Sequence, residues 1–285
     1  VYDVRTTDLD VAKAAAIRAA LEASKPDLVC VIAYPSAFAD IEITQKLRGP
    51  DYRFVSSDCV PVESGTIASW EKPGGNVTGV GVFVQMNSLL RLMKRIEPRA
   101  SKLVFYSWNA MAMANAWFRK EFERACAEEG FAFAEYVELP DAETEKAFYE
   151  RFSRPDPATV LAIGISAWVH KDGTPADLAV ELQPYLQRVV GVPVLTYEDA
   201  PVKLGMPLAT GVIWTDIGAQ LAEKGARILA GADPGAIPWS YPRKFNILIN
   251  KATTDRLGLV VPDDILGAAY RIYTDYAGNY VGKDD

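Results

Sequence analysis

The sequence predicts an α/β protein made of two doubly wound parallel-sheet lobes joined by a hinge. Two observations predict it. Short apolar runs alternate with stretches of 3.6-residue periodicity, each bounded by turn-forming residues, which is the grammar of parallel βαβ units. At 285 residues the chain also exceeds the size at which a single core usually stops growing.

The elements follow in order. Val11–Ser24 reads as a helix with Asp10 at its N-cap, and Pro26-Asp27 then punctuates before a buried strand at Leu28–Ile32. Within that strand Cys30 is read as a core residue. Further strands are expected at Tyr52–Ser56, Val77–Val82, Lys102–Tyr106, Ala132–Val137, Thr159–Ile165 and Val192–Thr196. Helical periodicity fills Met86–Ile96, Ala110–Glu129, Glu143–Phe152, Pro175–Val189 and Asp216–Ala230, with Gly130 and Gly231 placed as left-handed helix stops. Passages between lobes are expected at Arg99-Ala100-Ser101 and near Leu208–Thr215. Lobe one is then residues 1–98 plus about 213–235, lobe two is 99–212 plus about 236–285, and a ligand cleft is expected between them.

Composition narrows the function. Thirty basic against 37 acidic residues leave a net charge of -7, and no Lys/Arg block is present, so nucleic acid is an unsuitable partner. The apolar runs are about one strand long, far short of a membrane span. No secretory leader pattern opens the chain, which fits either a cytoplasmic protein or one whose export signal has been removed. Cys30, Cys59 and Cys126 lack metal-ligand or redox spacing, and the single histidine, His170, is read as solvated or capping. No cofactor or metal is expected.

Ligands of open parallel sheets bind beyond the carboxyl ends of strands. There the sequence repeatedly places an aromatic beside small polar residues: Tyr34 and Ser36, Asp58, Tyr106 with Trp108 and Asn109, Ser166 with Trp168, Tyr197 with Glu198, and Trp214. Rings give rigid apolar area while hydroxyls, amides and carboxylates orient a ligand. Trp108, Trp168 and Trp214 fit pocket and core equally well, whereas Trp117 and Trp239 read as packing residues. Catalysis lacks its parts, because there is one histidine and no GxSxG elbow or Cys/His pair. Asp58, Glu198 and Asp216 fit helix capping or the holding of an ammonium better than acid–base work. Pro73-Gly74-Gly75-Asn76 is neither a dinucleotide nor a phosphate loop, and reads as a tight turn entering a strand.

Two stretches carry a family resemblance. Trp70–Val80, containing Pro73-Gly74-Gly75-Asn76-Val77-Thr78-Gly79, resembles a motif of the ABC transporter substrate-binding proteins whose characterised relatives bind aromatic amino acids. Asn250-Lys251-Ala252-Thr253 followed by Leu257-Gly258-Leu259-Val260-Val261-Pro262 resembles the closing motif of the same group. The resemblance implies a type I periplasmic-binding-protein fold, a monomer that captures a small solute by hinge closure, and delivery to a membrane permease on the periplasmic or extracytoplasmic side. Two departures stand out: Ser166-Ala167-Trp168 replaces a more usual Thr-Asp-Asn, and Trp108 precedes Asn109 where Tyr-Asn-Pro is common. Val1–Thr6 aligns with the second strand of such proteins, leaving the first strand and helix of lobe one unrepresented. A ligand-binding sensor of the same fold is the alternative reading, and an enzyme on a doubly wound sheet a more distant one.

Overall fold

The computed structural model describes residues 19–32 and 52–282. Residues 19–24 are helical, the visible end of the expected Val11–Ser24 helix, whose first part lies outside the described residues, as does the Val1–Thr6 strand. Then come β1 (Val29–Ile32), β2 (Phe54–Asp58), β3 (Val77–Gly81), α1 (Met86–Ile96), β4 (Lys102–Trp108), α2 (Ala112–Glu129), β5 (Ala132–Leu139), α3 (Ala142–Glu150) and β6 (Thr159–Ile163). The chain continues through a π-helical turn, Leu178–Leu182, into α4 (Gln183–Val189), β7 (Val194–Thr196), α5 (Asp199–Lys203), β8 (Leu208–Val212) and α6 (Trp214–Leu229). It closes with β9 (Phe245–Asn250), α7 (Lys251–Arg256), α8 (Asp263–Ala268), β10 (Arg271–Tyr273) and β11 (Tyr280–Gly282).

Two compact units result, residues 1–83 with 213–244 and residues 84–212 with 245–285. The division departs from the sequence expectation at two boundaries. α1 buries Leu89, Leu90, Met93 and Ile96 and packs on α2 and β8, which makes it part of the second unit rather than the first. At the other boundary, the segment after α6 stays with the first unit because it runs along β3. Ser240 N–H donates to Gly79 O at 3.2 Å, Gly81 N–H to Ser240 O at 2.8 Å and the Thr78 hydroxyl to Ile237 O at 2.8 Å.

The first unit is a parallel sheet in the order β1-β2-β3, with α6 packed on β2 and β3. Phe54, Ile67, Val77 and Trp239 form its core. The glycine-rich motif has a steric reason here. Gly74 and Gly75 turn at φ +71° and +66°, a left-handed conformation costly for any residue with a Cβ, and a Cβ on Gly79 would lie 1.9 Å from Ser56 O and 2.5 Å from the Trp239 ring. Cys30 departs from its expected place: β1 alternates between half-buried and exposed positions, and Cys30 falls on the exposed side.

The second unit is a sheet in the order β11-β10-β9-β8-β7-β6-β4-β5. Strands β4 to β8 are parallel, as the alternating pattern predicts, and strand order reverses at β4, between β5 and β6. β9 runs antiparallel to β8, with Val212 opposite Phe245. The chain leaves this unit at the end of β8 and re-enters beside it, so the returning strand must run the other way. α2 stops at Gly130, φ 72°, whose N–H donates to Cys126 O. Trp117 is buried in this unit, and Trp239 in the first.

Candidate functional site

In the second unit the carboxyl ends of three neighbouring strands, β4, β6 and β7, bring together much of what the sequence singled out. Trp108, the last residue of β4, and Trp168, in the loop after β6, have ring centroids 6.1 Å apart, tilted by 32°. That spacing lies in the favourable range for aromatic pairs. Trp108 is half-buried, while Trp168 keeps 49% of its surface exposed. Backbone and side chain both fix Trp108: its N–H donates to Ile165 O at 2.7 Å, its carbonyl accepts from Asn115 Nδ2 at 2.7 Å, and its Nε1–H donates to Pro140 O at 3.2 Å. Asn109 is exposed and opens a 3₁₀ turn leading to α2, an 18-residue helix whose N-terminus has no side-chain cap.

After β7 comes Glu198, the N-cap residue of α5, yet its side chain makes no capping hydrogen bond. Burial pushes its carboxyl up to about 7. A half-buried carboxylate without a partner among the described residues is suited to a cation supplied from outside.

Three of the expected ligand residues are structural instead. Tyr106 lies wholly inside the core, its hydroxyl 3.1 Å from that of Tyr149 and its ring against Phe148, because the last turn of β4 reaches the surface only two residues later. The buried Ser166 spends its hydroxyl on Glu145. Tyr197 is buried with its ring 4.9 Å from Phe118 of α2.

In the first unit, Asp58 ends β2 fully buried. Its Oδ1 accepts Val60 N–H at 3.0 Å, while Oδ2, like the neighbouring Ser57 Oγ, is buried with no hydrogen-bond partner among the described residues. Desolvation raises the Asp58 carboxyl to about 6 against the lowering effect of its backbone hydrogen bonds. Trp214 is the first residue of α6 and 44% exposed. Tyr34 and Ser36 lie outside the described residues.

Two residues near the site were not foreseen. Asn115, fully buried, holds the Trp108 carbonyl. Glu145, also fully buried, holds the loop that bears Trp168, and burial raises its carboxyl to about 7. The one available signal for Glu145 was its place on the apolar face of α3, with Ala142, Phe148 and Tyr149. His170, read as solvated or capping, lies between two carboxylates: Nδ1 is 2.7 Å from Glu143 and Nε2 3.3 Å from Glu181.

Aromatic residues and, among the described residues, an unpartnered carboxylate thus gather at the strand ends of the second unit, and comparison with known proteins gives the family. The profile of the ABC transporter substrate binding protein family matches residues 1–129 and 164–272, and the chain belongs to that family. It is 24% identical over 262 residues to a tyrosine-binding protein of Clostridioides difficile, covering 90% of this chain and 70% of that one. Among solved structures it resembles an ABC domain in complex with L-Trp from Streptococcus pneumonia, at 20% identity and TM-score 0.66, covering 92% of this chain and 84% of that one. It also resembles the ligand-free, open structure of a substrate binding protein with adhesive properties from Clostridium difficile, at 21% identity and TM-score 0.68, covering 90% and 81%. These structural likenesses match the type I periplasmic-binding-protein fold expected from the sequence.

Proposed function

We propose that this protein is the extracytoplasmic solute-binding subunit of an ABC importer, that its solute is an amino acid with an aromatic side chain, and that it binds without chemically changing it. The observation that carries the reading is the Trp108–Trp168 pair at the ends of β4 and β6, with Glu198, unpartnered among the described residues, following the neighbouring strand β7. In this reading the two indoles contact the solute's ring, Glu198 accepts its ammonium, and the uncapped first turn of α2 faces its carboxylate. The relatives named for tyrosine and L-Trp are consistent with this class of solute. Hinge closure, delivery to a membrane permease and action as a monomer belong to the same proposal.

The test is calorimetric titration of refolded, ligand-stripped protein with the standard amino acids, followed by chromatography of the recovered solute. Saturable, stoichiometric binding of tyrosine, tryptophan or phenylalanine, with the solute recovered intact, is the expected result. Binding of sugars alone would overturn the solute class, and conversion of the solute would overturn the non-enzymatic role.

A further inference from the structure

The start of α3 meets Trp108 directly and, through separate contacts, the residues on either side of Trp168. Trp108 Nε1–H donates to Pro140 O, immediately before the N-cap Asp141, which itself accepts Thr144 N–H at 2.7 Å. On the Trp168 side, Ala142 N–H donates to Val169 O at 2.9 Å, one oxygen of Glu145 accepts Ala167 N–H at 2.7 Å, and the Glu145 carboxylate also accepts the Ser166 hydroxyl. The other Glu145 oxygen accepts the Tyr149 hydroxyl, whose own oxygen faces the Tyr106 hydroxyl. Tyr106, Tyr149 and Glu145 are all fully buried. A carboxylate is costly to bury away from water, and apolar packing alone would stabilise α3 without it. What this carboxylate adds is a fixed acceptor for the two residues that precede Trp168.

We infer that Glu145 is a positioning residue of the solute site: seated on the Tyr149–Tyr106 pair, it sets the 166–168 loop and so holds Trp168 against Trp108. The inference rests on the proposed solute site for its functional meaning, but its geometric content does not. Glu145 itself reaches solute through Trp168, not directly. Gln at this position preserves the arrangement, since its carbonyl accepts Ala167 N–H while its amide donates toward Tyr149. An apolar side chain of similar size leaves Ala167 N–H and two hydroxyls without their acceptor, and the loop shifts to find water.

Two indoles this close couple their electronic transitions, giving a circular-dichroism couplet that Trp108→Phe or Trp168→Phe abolishes, and this provides a readout independent of solute. Glu145→Gln is expected to keep the couplet and to bind aromatic amino acids within about twofold of the parent. Glu145→Leu should lose most of the couplet and weaken binding by about tenfold, a coupling typical of residues one step from a ligand. Tyr149→Phe, which leaves the loop-side bonds in place, should lower the melting temperature yet retain the couplet. If Glu145→Leu folds and keeps its couplet, the inference is overturned. If that variant does not fold, Ser166→Ala decides, because it removes one loop-side bond only: a reduced couplet supports the inference and an unchanged one overturns it. Loss of couplet without amino-acid binding in the parent protein would leave Glu145 as the residue that sets the pair while overturning the solute assignment.

Discussion

Asp216 and Arg243 meet twice in the first unit: Asp216 Oδ2 accepts the Arg243 backbone N–H at 2.9 Å, and the guanidinium Nε lies 3.7 Å from Oδ1. The same carboxylate oxygen accepts Lys244 N–H at 3.2 Å and the Gln220 amide at 2.9 Å. Three hydrogen bonds converge on this one oxygen, and its work is to fasten the segment after α6 to that helix. Asp216→Ala should therefore destabilise the protein by about 1–2 kcal/mol, chiefly the cost of leaving the buried Gln220 amide without its acceptor, with solute affinity of the folded protein unchanged. Urea denaturation beside calorimetric titration checks both halves of this expectation.

Glu198 makes the opposite prediction. Its carboxyl titrates at about 7 in the free protein, and an ammonium docked against it favours the ionised form. Binding at pH 6 should therefore release a proton, and affinity should rise with pH until it levels off above 7. Titrations at one pH in buffers of different ionisation enthalpy reveal the released proton. Glu198→Gln should abolish that release and weaken binding by about 10- to 100-fold, as for a hydrogen bond to a charged group.

Three raised carboxyls also shape stability. Glu145 and Glu198 are pushed up to about 7 and Asp58 to about 6, each chiefly by desolvation. Between their unfolded values near 4 and these folded values the native state holds more protons than the unfolded one, so stability falls as pH rises through that window. Ligand-free protein is expected to melt at a higher temperature at pH 5 than at pH 8, and Glu145→Gln should flatten part of the slope.

Trp168 keeps about half of its surface exposed beside Trp108, so it can contribute to binding without anchoring the fold. Trp168→Ala should cost about 1–2 kcal/mol of affinity for aromatic amino acids and little for small ones, with an unchanged melting temperature. A comparison of tyrosine with alanine binding by calorimetry measures the difference.

Gly79→Ala is the severe case. The added methyl would sit inside the van der Waals envelope of Ser56 O and the Trp239 ring, and neither a strand backbone nor a buried indole can yield cheaply. A loss of about 3 kcal/mol or more is expected, visible in urea denaturation.

The sequence made the elements legible because period and punctuation agree in them: α1 spans Met86–Ile96 as its apolar spacing implies, and α2 stops at Gly130 where a left-handed residue is needed. It also led to the Trp108–Trp168 region, since residues following parallel strands gather at one sheet edge. It could not separate Tyr106 from Trp108, because two positions along one strand decide between core and surface. Cys30 was misplaced for a related reason: an unbroken apolar run does not reveal that one side of β1 lies open. Glu145 stayed hidden because a glutamate in a helix ordinarily points to water, and only tertiary packing brings it beneath a distant loop.

The guanidinium of Arg53 donates to the carbonyl of Ile228, 175 residues away, and that distance along the chain sets an order of events during synthesis. A ribosome delivers β2 and β3 long before α6, the helix that covers them, whereas β4 to β7 acquire their partners as they emerge. The first unit must therefore wait for α6, with the strand surface that this helix covers left open until most of the polypeptide exists. A nascent chain of this kind offers holding chaperones a long interval of access, and truncations ending before residue 213 should aggregate even where the strands of the second unit have begun to pair.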